Sequence, residues 1–248
     1  MVDRRQVLVG AAGTAGMLAA EAVAQTSPAP AAAPPESPYA VTYLEVEPAR
    51  ADASRRLLAR YQEALKGDAL KGGGALEFAV FEQIGRPNHF AIVEQWPSAK
   101  AREDNAASAA SRDFRAALAP LLIAPYDERP HFALSTGPQS TGTRAATPAA
   151  VPTAVYVVTH VDIVPPKRDE GAAEVRKLAE ASRGTAGNVR FDALVQASRL
   201  NHLTLVEAWT DAAAREAHSA ANPTRSFRTA LGPMSGALYD ERLYTPLK

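Results

Sequence analysis

The chain holds no cysteine in 248 residues, so thiol nucleophiles, thiolate zinc sites, disulfides and a cysteine-linked lipid anchor are excluded. Any chemistry must come from His, Glu, Tyr, Asn and Arg. Histidine is the side chain whose ordinary pKa lies near neutrality, which suits proton transfer at physiological pH. Among the five histidines, His160 and His218 stand apart from any motif, while Asn88-His89 and Asn201-His202 recur as a pair. A Glu-x-Trp pattern also occurs twice, as Glu94 with Trp96 and Glu207 with Trp209. No HxxxH or HxH spacing is present, so no dedicated metal site is expected, although His160 and His218 could meet in space. Gly72-Gly73-Gly74 lacks the Lys-Ser/Thr of a phosphate loop and the spacing of a dinucleotide fingerprint, and there is no Gly-x-Ser-x-Gly elbow.

These residues sit in a sequence written twice, and an internal repeat governs every later fold argument. RPNHFAIVEQW (86–96) and RLNHLTLVEAW (199–209) share six of eleven positions at an offset of 113. SRDFRAALAPLLIAPYDER (111–129) and TRSFRTALGPMSGALYDER (224–242) share eleven of nineteen at the same offset. Upstream, VTYLEVEP from Val41 matches VTHVDIVP from Val158 at an offset of 117, so the second copy has lost four residues. The offsets place Tyr43 opposite His160, and Asn105 opposite His218. Residues 39–134 and 153–248 are therefore expected to be two domains, joined by a Thr/Ala/Gly/Pro-rich linker over 135–152.

Periodicity gives each copy the same string. Alternation over 40–47 predicts a half-buried strand, and Leu57, Leu58, Tyr61 and Leu65 share one helix face. Two strands, 75–83 and 88–96, follow around Gly85-Arg86-Pro87-Asn88, then helices over 99–109 and 112–121 and a last strand at Phe132-Ala133-Leu134. The order βαββαβ is the ferredoxin-like unit, and the fold class is α+β. On the third strand Phe90, Ile92, Glu94 and Trp96 point one way, as do Leu203, Leu205, Glu207 and Trp209. Their neighbours Ala91, Val93, Gln95 and Thr204, Val206, Ala208 are small, which suits packing under helices. The large row would then face the opposite sheet, so that two copies close as an intramolecular pseudo-dimeric α/β barrel around a pocket.

The first residues belong to a different regime. Arg4 and Arg5 precede Val7-Leu8-Val9, an Ala/Gly-rich apolar run and Ala22-Val23-Ala24, the order of a cleavable export signal over 1–24, with Pro/Ala-rich 25–38 as a tether. The arginine pair resembles a twin-arginine signal and implies a periplasmic or secreted protein. The apolar run is too short to span a bilayer, so no membrane span is expected after signal removal. Lys+Arg 27 balances Asp+Glu 27, which gives no electrostatic reason to expect nucleic acid as partner. The expected state is a monomer with an internal pseudo-dimer, open to further homo-oligomerisation.

The motifs NHFAIVEQW and NHLTLVEAW, followed by Ala101-Arg102 or Ala214-Arg215-Glu216-Ala217-His218, then RDFRAAL or RSFRTAL and a closing YDER, resemble the antibiotic biosynthesis monooxygenase (ABM) domain of the dimeric α/β-barrel superfamily. That resemblance implies a cofactor-independent monooxygenase taking a small quinol, phenolic or aromatic substrate and O2, with no cofactor. Such chemistry needs a base to ionise the substrate and donors that hold the resulting anion. His218 or His160 would take the proton, Glu207 would tune the pocket, and Trp209 and Trp96 would wall it. Arg228 and Arg115 would offset negative charge if they face inward; Glu94, Tyr43 and Asn105 complete the lining. Some relatives carry an asparagine four residues before the strand tryptophan, where this chain has Ile92 and Leu205. The alternative is a non-catalytic periplasmic barrel binding a small apolar or aromatic ligand. Haem, which related barrels degrade, is disfavoured because both tryptophans end strands instead of lying on a helix.

Most of these residues also admit plainer roles. Asn88-His89 and Asn201-His202 could bond backbone at a turn, the tryptophans could simply pack, and His218 could face solvent. Glu94 and Glu207 could be buried partners of arginine. Tyr126-Asp127-Glu128-Arg129 and its copy from Tyr239 could anchor the last helix to the final strand or form the seam between repeats.

Overall fold

The computed structural model describes residues 38–69, 74–137 and 153–247. The export signal, the tether, the triple glycine up to Gly73 and most of the linker lie outside the described residues. The first repeat contributes β1 (Tyr39–Glu45), α1 (Ala51–Ala69), β2 (Glu77–Gln83), β3 (Arg86–Gln95), α2 (Ala99–Ala106), α3 (Ala109–Leu118) and β4 (Asp127–Ser135). The second contributes β5 (Val155–Asp162), α4 (Arg168–Arg183), β6 (Asn188–Gln196), β7 (His202–Trp209), α5 (Ala212–Ala220), α6 (Asn222–Leu231) and β8 (Asp240–Pro246).

Short polar side chains start several of the helices, because the first N–H groups of a helix lack partners within it. Ser98 accepts from Ala101 N, Ser108 from Ser111 N, and Asp211 from Ala214 N. The asparagine of each Asn-His pair holds the turn, Asn88 donating to Val46 O (3.0 Å) and Asn201 to Ile163 O (2.7 Å). Strand order within each repeat is that of the ferredoxin-like unit, β4-β1-β3-β2 and β8-β5-β7-β6. The edges then join across repeats, β2 to β8 and β4 to β6, so all eight strands form one closed antiparallel barrel. Closure removes every strand edge, which a lone repeat would leave exposed. The two strands that begin in YDER are the ones that make this seam.

The expected facing of the third strand is reversed. Phe90, Ile92 and Trp96 pack with Leu58, Leu65, Phe114 and Leu118 of α1 and α3, and Leu203, Leu205 and Trp209 pack with Val175, Leu178 and Phe227 of α4 and α6. The small row faces the barrel axis, where Ala91, Val93, Val206 and Ala208 meet Tyr39, Val41, Phe81, Tyr156 and Tyr244. The physical reason is room. An eight-stranded barrel is just wide enough for side chains to fill, so tyrosines entering from some strands require small residues on the others. The layer under the helices is thicker and takes the tryptophans. The centre of the barrel is consequently packed, and the space between the two sheets opens at one end, where a cavity is lined by Tyr43 of the first repeat and His160 of the second.

One end of the axis is plugged by ions. Arg190 Nη1 bonds Glu77 Oε1 (2.8 Å) and its Nε bonds Asp192 Oδ2 (2.6 Å), with all three side chains no more than 3% exposed. Glu77 and Arg190 occupy the same position in the two repeats, at the offset of 113. Identical repeats would bring like charges together there, so the chain pairs unlike halves.

Gly187 has φ +78°, and a Cβ there would lie 2.5 Å from Ala214 Cβ at the start of α5. Gly187→Ala should cost about 3 kcal/mol, combining the left-handed backbone with overpacking, and lower Tm by roughly 6–12 °C. Gly85 has φ +80° but open space around it, so Gly85→Ala should cost about 1 kcal/mol; thermal melts of the pair would separate backbone strain from the clash. Equal losses would show that the α5 contact contributes nothing.

Candidate functional site

Strand alternation puts Glu207 and Trp209 on one face of β7, and α5 and α6 lay His218 and Arg228 over that face. The Trp209 indole N–H donates to Glu207 Oε2 at 2.9 Å. His218 stacks on Trp209 with ring centroids 4.4 Å apart, and its Nε2 lies 4.0 Å from Glu207 Oε2. Thr224, at the start of α6, approaches the same imidazole at 3.4 Å. His218 is therefore buried and not solvent-facing. Glu207 has the indole as its hydrogen-bond partner, not arginine.

The first repeat holds the same frame with different tips. Trp96 Nε1 donates to Glu94 Oε2 at 2.8 Å. Asn105 stands where His218 stands, and its amide donates to Tyr61 Oη (3.4 Å), which contacts Ser111 Oγ (2.6 Å) and stacks on Phe114 at 4.0 Å. Arg115 and Arg228 do not face inward. They lie over Tyr126 and Tyr239 and reach Glu128 (3.6 Å) and Glu241 (3.2 Å), about two-fifths exposed. Arg102 and Arg215 bind the same two glutamates. Each YDER glutamate thus ties two helices to the last strand. Ile92 and Leu205 are fully buried apolar packing residues.

Electrostatics distinguish the paired groups. Burial raises Glu207 to about 7, against the indole bond and the more distant Arg215 and Arg228. Burial likewise raises Glu94 to about 7. His218 is lowered to about 4 by burial, then by Arg215 and Arg228. At neutral pH the second repeat therefore holds an uncharged imidazole beside a carboxyl group poised to gain or lose a proton, the condition for general acid–base work.

His160 belongs elsewhere. It projects into the other end of the barrel beside Tyr43, ring centroids 4.9 Å apart, and does not meet His218. Hydrogen bonds run in a ring: Arg129 Nη1 donates to His160 Nε2 (3.2 Å), His160 Nδ1–H to Thr204 Oγ1 (3.5 Å), Thr204 to His131 Nε2 (2.9 Å), and His131 Nδ1–H to Arg129 O (2.7 Å). These partners fix both imidazoles as neutral tautomers. Burial, with Arg129 and Arg242, lowers His160 to about 3, and burial lowers His131 to about 4. Arg129 and Arg242 also lie over the Tyr43 ring at 5.0 and 5.6 Å, and each is paired with its own aspartate, Asp127 or Asp240.

Arg129 and Arg242 were visible in the sequence only as the last residue of each YDER motif, and Thr204 and Tyr61 only as strand and helix-face positions, while His131 did not stand out. The arginines had a signal, since Asp-x-Arg at the same offset in two strands puts both pairs on one face. Two cavities, of about 490 and 700 Å3, open at this end of the barrel, and neither is lined by His218 or Glu207. Among the described residues no group of three or more His, Asp or Glu could hold a metal ion, and no helix is long and apolar enough to cross a membrane.

The profile of the antibiotic biosynthesis monooxygenase family matches residues 154–230. No curated protein matches the sequence significantly. Among solved structures, a protein of Fusobacterium nucleatum bearing a provisional monooxygenase name superposes with TM-score 0.70 at 17% identity, over 85% of this chain and 92% of its own. A similarly named protein of Lactobacillus acidophilus gives 0.66 at 11%, over 85% and 93%. A protein described as anthrone oxidase-like gives 0.63 at 11%, over 85% and 91%. At these identities the likeness establishes a shared fold. The chain carries an ABM domain in its second repeat, and the two repeats together close one barrel of the dimeric α/β type within a single polypeptide.

Proposed function

We propose that the protein is a cofactor-independent monooxygenase of a small quinol, phenolic or aromatic substrate, and that the working site is the helix-covered face of the second repeat. The observation that carries this reading is the buried His218–Glu207 pair under Trp209, with Asn105 replacing the imidazole in the first repeat. The uncharged imidazole takes the substrate proton, and Glu207 stabilises the imidazolium that forms. The substrate anion then supplies electrons to O2, one oxygen atom entering the substrate and the other leaving as water. Tyr239 packs against Phe227 and Arg228 on one side and lines the 700 Å3 cavity on the other, which makes it the side chain that must yield for substrate to enter. The Arg4-Arg5 signal supports export, with 1–24 removed, and the repeat boundaries support domains over 39–134 and 153–248.

The reading predicts oxygen uptake with a phenolic substrate and no added flavin or metal. His218→Ala should lower kcat by roughly 10²–10⁴ with an unchanged circular dichroism spectrum. No uptake across a broad panel of phenols, quinols and anthrones, or full activity in His218→Ala, would remove it. A ligand-binding barrel without turnover is favoured by one observation, that neither cavity opens onto His218; it predicts thermal stabilisation by ligand with no oxygen consumed.

A further inference from the structure

Two buried polar atoms lack partners in the smaller cavity at the open end of the barrel. Tyr43 Oη and Gln83 Oε1 are shielded from solvent and have no hydrogen-bond partner among the described residues, and both side chains line the 490 Å3 space. Buried polar groups are normally satisfied, because an unmade bond leaves the full desolvation cost of the group. The equivalent positions in the second repeat show that this fold can satisfy them. His160, at the place of Tyr43, is bonded to Arg129 and Thr204, and Gln196, at the place of Gln83, bonds Ser198 Oγ at 2.8 Å. The unsatisfied pair is confined to one side of the mouth.

The charges beside this pair are of both signs. Arg129 and Arg242 are each closed on their own aspartate by two bonds, so a ligand would have to displace a carboxylate to use them. Arg86 is different. It stands opposite Gln83 in the β2–β3 register, is exposed, and makes no ion pair among the described residues. Glu45, two residues beyond Tyr43 on the same face of β1, meets His89 at 3.5 Å. Burial lowers that imidazole and Glu45 offsets the effect only in part, so the carboxylate has an uncharged neighbour at neutral pH. Burial and then Tyr244 hold the Tyr43 phenol well above its ordinary value, so it donates, whereas the Gln83 amide oxygen can only accept. The cavity thus offers a cation with a donor, and an anion with an acceptor.

We propose that the smaller cavity is a binding site for a free α-amino acid, whose carboxylate accepts from the Tyr43 hydroxyl and Arg86 and whose ammonium group donates to Gln83 and Glu45. The volume of 490 Å3 suits a ligand of that size. None of these four residues lines the larger cavity beside Tyr239, so the site is separate from that route and does not depend on the His218–Glu207 pair.

The test is calorimetric titration of the full-length protein with the common L-amino acids, and with two analogues of leucine that each lack one charge. One equivalent should bind. Leucinamide, without the carboxylate, and 2-hydroxy-4-methylpentanoate, without the ammonium group, should each bind about tenfold more weakly than leucine, since each loses bonds to a charged group. Tyr43→Phe should also weaken leucine about tenfold, with Tm unchanged or slightly raised because an unpaired hydroxyl is removed. Arg86→Gln should weaken it by about threefold, as expected of an exposed ion pair. His218→Ala should bind leucine as the unaltered protein does. Absence of binding by every amino acid at millimolar concentration, either analogue binding as tightly as leucine, or full affinity in Tyr43→Phe would each overturn the proposal. A lowered Tm in Tyr43→Phe would also overturn it, by showing that the hydroxyl is satisfied within the protein.

Discussion

Arg190→Met is expected to destabilise the protein by about 3–5 kcal/mol, because it strips the counter-charge from two carboxylates that have no route to water. Burial opposes the charge on Arg190, but Glu77 and Asp192 outweigh it and hold the guanidinium firmly protonated. Without it, two acidic groups are left in the barrel interior, and one must take up a proton or the barrel end must open. The loss should be mostly recoverable. Asp192 Oδ1 also accepts from Gly137 N at 3.0 Å, so Glu77→Gln/Arg190→Met/Asp192→Asn removes the charges and keeps that acceptor. Urea unfolding at pH 7 reads both outcomes. A loss under about 1 kcal/mol in the single variant would mean that the plug is solvated and contributes like a surface pair.

Stability should peak near pH 6.5 and decline steadily in acid. His131, His160 and His218 have folded-state values of about 4, 3 and 4, below the ordinary 6.5. Each stabilises fully above its unfolded value, and the stability is lost as pH falls toward the folded one. Glu94 and Glu207, raised to about 7, act oppositely: their contribution is complete below about 4.5 and is lost as pH rises through 7. Between about pH 4.5 and 6.5 the unfolded chain holds three histidine protons that the fold lacks and the fold holds two glutamate protons that the unfolded chain lacks, a net of about one proton and a slope of about 1.4 kcal/mol per pH unit. Near pH 4.5 the unfolded glutamates also take up protons, while the folded His131 and His218 begin to do so. The slope therefore reaches only about 2 kcal/mol per pH unit and fades below pH 4. Asp240, lowered by its bond to Arg242 despite burial, adds in the same direction. Denaturant melts from pH 3.5 to 8 would check this, and Glu207→Gln should flatten the decline around pH 7. A stability that rises as pH falls from 6.5 to 4.5 would show that the histidines are not buried as neutral rings.

The repeat made most of the architecture legible. Two copies of one pattern defined eight strands and their helices, and the Gly85 and Asn88 turn signals fell where a hairpin was needed. The facing of the third strand was not legible, because Phe90-x-Ile92-x-Glu94-x-Trp96 alternates equally well in either direction. Only the count of large residues arriving from the other strands decides which row fits the axis. Pairing Glu-x-Trp was visible as a pattern, whereas the indole bond that makes the carboxylate's partner a tryptophan required the strand to be built. His160 and His218 looked like two members of one site. They lie on opposite faces of the sheet, since His160 alternates inward on β5 while His218 reaches β7 from the helix layer.

By itself the sequence determined what is local or periodic. The absence of thiol chemistry, the duplicated βαββαβ unit, the turns at Asn88 and Asn201, and the asymmetry that gives only the second repeat an imidazole at the Asn105 position all follow from residue type and spacing. The tertiary structure decided everything that depends on closure. Joining β2 to β8 and β4 to β6 brings Glu77 to Arg190, sets Arg242 over Tyr43 and Arg129 against His160, fills the axis and leaves cavities at one end. Those contacts cross between repeats, over a hundred residues apart in several cases, and no local pattern specifies them; they exist because a closed sheet has only one inside, and side-chain volume determines what can share it.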